Sequence, residues 1–300
     1  MPKHAYCVIA HKDIYTLNKL IECIDDVRND IFILIDKKSS LSPAHLTQTT
    51  RSKIFTPPPV SIYWGDISII AAELTILKAA AVHHKYTYYH LISGQDLPLH
   101  TQNEIHCFFE KIKPDTNFIG YAQGESNERS LRERMRFYVP FTKHYRCRSA
   151  MLSVLCDNMR DAIVKLQRKT GFIKRVPPLE YKKGCEWASM TDSFVRYLLA
   201  HETEILRIYR GTPCCDEIYK QTAAWNSCFR ATLYNIEDEY EGCMREIDWG
   251  RGNPYTYCFG DLENLQKSSR IFARKFDSEI DKDIIDAICN SILSGEANLK

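Results

Sequence analysis

Residues 5–36, AYCVIAHKDIYTLNKLIECIDDVRNDIFILID, decide the fold. The opening AYCVIA is a short apolar run stopped by His11, Lys12 and Asp13. Leu17, Leu20, Ile21 and Ile24 then recur at helical spacing, and IFILI at 31–35 halts at Asp36. A continuous apolar run of that length suits a strand buried on both faces. The rhythm continues outward. Short strands are expected at 53–56 and 60–63, around Pro57, Pro58 and Pro59. A helix over 67–83 carries Ile70, Leu74, Leu77 and Ala81 on one face, and the strand YTYYHLI at 86–92 breaks at Ser93-Gly94. Strand–helix–strand order predicts an α/β protein whose mostly parallel central sheet is flanked by helices. Such sheets bind ligands outside the carboxyl ends of their strands. Here those ends carry His11, Asp36 and the turn at 93–96.

Composition narrows the class. With about 150 residues per domain, 300 residues predict one or two domains, and no linker is visible, so a single domain is favoured. Hydrophobic residues make up 44% and charged residues 26%, as in a soluble globular chain. Lys plus Arg is 40 against 38 Asp plus Glu, and a net charge of +2 argues against whole-surface nucleic-acid binding. No apolar run reaches the roughly 18 residues of a membrane span. The start, MPKHAYCVIAHKD, turns polar after Ala10, unlike a signal peptide. None of the 12 cysteines forms a C-x-x-C pair, so zinc-ribbon and thioredoxin-type sites are not expected. Reduced thiols and a cytoplasmic location follow, with peripheral membrane contact left open and a disulfide framework the lesser reading.

Several segments offer chemistry, each with a plainer reading. Between Glu128 and Arg148, seven Arg or Lys face two Glu, interleaved with Phe137, Tyr138, Phe141 and Tyr145. This is either a grip for anionic groups or a solvated helix with an aromatic underside. Lys174-Arg175 and Lys182-Lys183 add charge around Pro177-Pro178. Neither G-x-G-x-x-G nor a P-loop is present. Asp96, in HLISGQDLPL at 90–99, is a turn carboxylate or a partner for a sugar hydroxyl. Metal ligation has poor candidates: Asp36 is followed by two lysines, and Asp281-Lys282-Asp283 reads as a helix start. Asp216 and Glu217 open a helix, where one carboxylate caps and its neighbour is free to act as a general base. In SSRIFARKFDSEID at 268–281, Arg270, Arg274 and Lys275 are suited to neutralising a diphosphate leaving group in place of a metal.

Together these stretches resemble a known family. HLISGQDLPL, KGCEWASMTDSFVRYLL at 183–199, CCDEIYKQT at 214–222 and FGDLENLQKSSRIFARKFD at 259–277 stand in the order of the core-2/I-branching β-1,6-N-acetylglucosaminyltransferases. That family also includes peptide O-xylosyltransferases. AYCVIAHKD, IFILIDKKS and VSIYWGDISIIAAELTILKAA fit the same pattern, so the likeness runs from about residue 5 to 289. It implies a GT-A-like nucleotide-sugar-binding fold, a UDP-sugar donor, inversion at the anomeric carbon and no divalent metal. By position in the motifs, Glu217 is the catalytic base, Lys275 binds diphosphate beside Arg274, and Asp36 lies near the nucleoside. Asp96 and Trp187 line the donor and acceptor cleft, and Glu186 falls where the xylosyltransferase branch has an acidic residue.

The second strand here reads Leu34-Ile35-Asp36 where the family often has H-V-D. The stretch NPYTYCFG at 253–260 lacks the family's arginine, for which Arg251, or Tyr255 and Tyr257, would have to substitute. Residues to about 125 are expected to form the donor-nucleotide half and the rest the acceptor and catalytic half, with Arg134 and Arg136 near the acceptor. The expected reaction moves a sugar, GlcNAc foremost, to a hydroxyl of a glycan or lipid-linked oligosaccharide. Peptide O-xylosyl transfer, a glycosidase pair of Glu186 and Glu217, and a non-catalytic sugar- or nucleotide-binding protein are the alternatives.

Overall fold

Apolar runs too short to make long helices pair instead as strands, and they do so around the segment quoted first. The computed structural model describes residues 2–146, 149–172, 174 and 176–295. Arg148 and Arg175, both counted in the basic stretches above, lie outside the described residues. The strands are β1 (His4–Ala10), β2 (Asn29–Ile35), β3 (Lys53–Phe55), β4 (Tyr88–Ser93), β5 (Leu97–Pro98), β6 (Phe118–Ile119), β7 (Ala188–Thr191), β8 (Arg245–Ile247) and β9 (Phe272–Arg274). The helices are α1 (Ile14–Cys23), α2 (Ser68–His83), α3 (Gln102–Lys111), α4 (Glu125–Arg136), α5 (Ala150–Thr170), α6 (Asp192–Ala200), α7 (Glu202–Tyr209), α8 (Tyr219–Trp225), α9 (Glu239–Cys243), α10 (Leu262–Gln266) and α11 (Lys282–Ser294).

The main sheet has the order β3-β2-β1-β4-β7-β6. The first four strands are mutually parallel, while β7 runs antiparallel to β4 and to β6. Side-chain alternation divides β1 between two cores. Ala5 and Cys7 join the layer with α2 and α6, whereas Tyr6, Val8 and Ala10 join the layer with α1 and α11. This is the mostly parallel, helix-flanked α/β sheet that residues 5–36 predict. The expected strand at 60–63 reduces to a single bridge, Asp36 to Val60, because the Ile62 and Tyr63 amides donate to the Asp36 carboxylate and the Ser68 hydroxyl instead of to a neighbouring strand. β6 lies before residue 125 and β7 after it, in the same sheet.

Chain order runs β1 to β2 on one side and returns through α2 to β4 on the other. The topological switch point therefore lies between the carboxyl ends of β1 and β4, the usual ligand crevice of open α/β sheets. A second sheet, β5-β9-β8, is placed against that crevice. Leu97 pairs with Ala273, so β9 lies directly beside the turn that leaves β4.

Candidate active site

Three strand ends and one late strand build the positive side of the crevice. Arg274, the last residue of β9, lies 3.2 Å from Asp96 Oδ1 and 3.4 Å from Ser93 Oγ. Its guanidinium stacks over the Trp187 ring at 4.7 Å. Asp96 is buried and also accepts from the Ser93 amide and hydroxyl at 2.9 and 2.6 Å. It is thus both the turn carboxylate of the plainer reading and the anchor of Arg274.

Lys275 follows immediately. The strap after it is tied down by Lys12 to Asp277 at 2.6 Å, by the Ser278 amide to Asp13 at 2.8 Å, and by Gln95 Nε2 donating to the Phe276 carbonyl at 3.1 Å. Among the described residues the Lys275 ammonium makes no ion pair or hydrogen bond. Burial first, then the charges of Lys12 and Arg274, pull its pKa below the usual lysine value. His11 is lowered by burial and by Lys12, against the opposing charge of Asp36. Asp36 ends β2, accepts from the Lys38 and Ile62 amides, and lies 3.4 Å from the Lys38 ammonium. A free, partly buried cation flanked by two others is a site prepared for an anion.

The acidic side begins one turn before α8. Cys215–Glu217 form a single 3₁₀ turn, and the helix expected near Asp216 starts at Tyr219. The turn sends its two carboxyls apart. Glu217 is partly exposed, 2.7 Å from Arg134 Nη1 and 3.7 Å from Lys183 Nζ. Asp216 is buried with one oxygen unpartnered, and burial together with the charges of Glu217 and Glu73 pushes its pKa up to about 7. Beneath it, Lys220 and Glu73 form a fully buried pair at 2.6 Å, and Lys220 also donates to the Asp216 carbonyl at 3.2 Å. Glu186 joins the two sides. Burial and the Asp216 carboxylate drive its pKa well above the usual range, while Arg274 acts in the opposite sense.

Glu217 is located through its backbone. The Gly184 amide donates to the Glu217 carbonyl at 2.9 Å. A Cβ on Gly184 would sit 1.9 Å from the Gly120 carbonyl oxygen, so only glycine permits this approach.

Of the residues singled out in the sequence, Asp96, Trp187 and Arg274 meet directly, with Lys275 next in the chain and Glu186 within electrostatic reach of Arg274, while Arg134 and Glu217 form an ion pair of their own and Asp36 follows the neighbouring strand β2. Two others lie apart from these contacts. Arg136 is exposed over Phe137, because residues two apart on α4 point to opposite sides and only Arg134 reaches Glu217. Arg251 is paired with Asp248 and, at 2.7 Å, with Asp261, so its guanidinium is already committed. It is the backbone of Tyr255 and Tyr257, through hydrogen bonds of 3.4 and 2.9 Å, that meets Lys275. Sequence reading also missed Lys12, Lys183 and the Glu73–Lys220 pair; only the basic doublet at 182–183 had signalled any of them. Among the described residues, no three His, Cys, Asp or Glu side chains are grouped to hold a metal ion, and Asp281 caps α11 instead.

A family model described as Core-2/I-Branching enzyme matches residues 4–267. The chain belongs to the Core-2/I-Branching enzyme family. The matched span includes Glu217 and ends before β9, so the family match does not itself cover Arg274 and Lys275. Within the curated proteins, the human beta-1,3-galactosyl-O-glycosyl-glycoprotein beta-1,6-N-acetylglucosaminyltransferase is 23% identical, over 92% of this chain and 66% of its own length. The human N-acetyllactosaminide beta-1,6-N-acetylglucosaminyl-transferase is 24% identical, over 91% of this chain and 68% of its own. The chain therefore spans about two thirds of the length of these Core-2/I-Branching relatives. The crystal structure of apo mouse xyloside xylosyltransferase 1 aligns with 91% of this chain and 97% of its own, at 9% identity and a TM-score of 0.42.

Proposed function

We propose that this chain is an inverting, metal-independent glycosyltransferase that moves a sugar from a UDP-sugar to a hydroxyl of a glycan acceptor. GlcNAc is the favoured sugar, since both human relatives are named for its transfer. The observation that carries the reading is the Lys275 ammonium, without an ion pair or hydrogen bond among the described residues, beside Lys12 and Arg274 at the switch point.

Glu217 takes the proton of the acceptor hydroxyl as its oxygen bonds to C1 of the sugar. The C1–O bond to the diphosphate breaks on the opposite face, and UDP leaves with the electron pair, so configuration inverts. Arg274 and Lys275 stabilise the charge gained by the leaving group. General-base assistance contributes typically about 10²–10⁴-fold. Arg134 and Lys183, paired with Glu217, orient its carboxylate.

The test is a thermal shift against UDP, GDP, CMP and UDP-sugars in EDTA, followed by a transfer assay. Ligand at 100 times Kd adds about 2.7 kcal/mol, which raises Tm by roughly 5 °C. The expected result is a shift with UDP and one UDP-sugar that EDTA leaves unchanged. Lys275→Ala loses most of that shift, whereas Glu217→Gln keeps it and loses transfer. Silence toward every nucleotide would reassign the chain as a non-catalytic binding protein. A shift appearing only with added Mn would overturn metal independence.

A further inference from the structure

Helix α5 is attached to the protein by its polar side. Arg160, buried, donates to the Pro140 and Phe141 carbonyls and stacks over Tyr145 at 3.9 Å. Gln167, also buried, brackets Tyr138 by accepting from its amide at 3.0 Å and donating to its carbonyl at 2.8 Å. The large apolar side chains point the other way. Met151 is 84% exposed, Val154 and Leu166 59% and Leu155 55%, with Leu152 and Met159 also exposed. At 100° per residue, 151, 155, 159 and 166 fall within one quadrant of the helix, and 152 and 154 flank it. A helix of a water-soluble protein turns its apolar stripe inward. This one does the reverse, and among the described residues none of α5 enters either hydrophobic core.

Charge identifies what covers the stripe. Residues 125–175 contain thirteen Lys or Arg against five Asp or Glu, an excess of eight. The rest of the chain contains 27 against 33, a deficit of six. Two copies meeting through α5 would bring two such positive regions together. An anionic lipid surface supplies the opposite charge and an apolar interior for the stripe. No described helix is long and apolar enough to cross a membrane, so the helix would lie in the interface plane.

We propose that α5 docks this protein on an anionic lipid bilayer, with the apolar stripe entering the acyl boundary and the basic side chains around it meeting headgroups. Arg146 stacks over Trp64 at 4.2 Å and is among the charges acting on Lys275.

The experiment is vesicle co-sedimentation of the full chain without nucleotide, which is independent of the transferase reading. Phosphatidylcholine vesicles are compared with vesicles containing phosphatidylglycerol. Binding is expected only to the anionic vesicles and is expected to weaken with salt. Met151→Ser with Leu155→Ser, both on the exposed face, should lower binding about tenfold or more, with Tm and the UDP shift unchanged. Lys165→Gln with Lys169→Gln should lower it about fivefold per charge. Absence of vesicle binding, or binding indifferent to the stripe substitutions, overturns the proposal. So does a concentration-dependent dimer that these substitutions abolish, since a second copy would then cover the face.

Discussion

Replacing Lys220 with Met removes one half of the fully buried Glu73–Lys220 pair while keeping the side-chain volume similar. The Glu73 carboxylate would then retain only the Tyr219 hydroxyl, and its second oxygen already has no partner. Breaking a buried pair from one side costs about 3–5 kcal/mol, because the remaining charge is left without compensation. For a chain of this length, roughly 2 °C of Tm accompanies each kcal/mol, so a fall of about 6–10 °C is expected. Burial already raises the Glu73 pKa. Without Lys220 the carboxyl takes up a proton in the native state, so the deficit should shrink as pH is lowered from 8 to 5. Glu73→Leu combined with Lys220→Met removes both charges and should recover most of the loss. The assay is urea denaturation at several pH values with a transfer assay beside it. Lys220 also holds the Asp216 carbonyl, so the single variant should lose kcat more than donor affinity. A cost under about 1 kcal/mol, or a double variant no better than the single one, would refute the desolvation argument.

Two further substitutions probe the same turn. Asp216 has a folded pKa of about 7 against an ordinary 3.8, so the native protein binds a proton that the unfolded chain has released. Its contribution to stability is present below about pH 4 and lost as pH rises to 7. Asp216→Asn should therefore become progressively more stabilising relative to the native chain across that window, by up to about 4 kcal/mol in denaturant titrations; a constant difference would refute it. Gly184→Ala forces the backbone away from the Gly120 carbonyl and should cost about 1–3 kcal/mol. Because the Gly184 amide holds the Glu217 carbonyl, kcat should fall while the UDP thermal shift survives, and an unchanged kcat would show that this contact does not position Glu217.

The parts of the fold that were legible are those written in local periodicity. β1, β2, α2 and β4 lie within a residue or two of where their apolar runs place them, and α1 contains Leu17, Leu20 and Ile21 of the helical spacing. The β5-β9-β8 sheet was not legible, because its strands are two or three residues long and β9 pairs with β5 across some 170 residues of sequence. The site divides in the same way. Glu217, Lys275 and Asp96 sit in motifs whose residue types state a chemistry. Glu73 and Lys220 each read as unremarkable helix residues, and only the packing of α2 on the turn before α8 makes them a pair. Arg134 and Arg136 looked equivalent as members of a charge run, until helix geometry separated them. The α5 stripe escaped notice because its spacing resembles an ordinary core helix; which side faces the protein depends on Arg160 and Gln167.

The positive groups at the switch point are not interchangeable, and their pairing assigns them different tasks. Arg274 is neutralised by Asp96 and Lys12 by Asp277, so two of the three cations already have counter-charges within 3.2 Å. Among the described residues Lys275 alone of the three brings charge without a direct partner, and burial makes that charge costly until an anion compensates it. In the proposed reaction Arg274, held between Asp96 and Trp187, would fix where the diphosphate can lie. Lys275 would then answer the charge that develops when the bond to the sugar breaks. On this division the crevice needs no second free arginine, and the commitment of Arg251 to Asp248 and Asp261 is compatible with a working site.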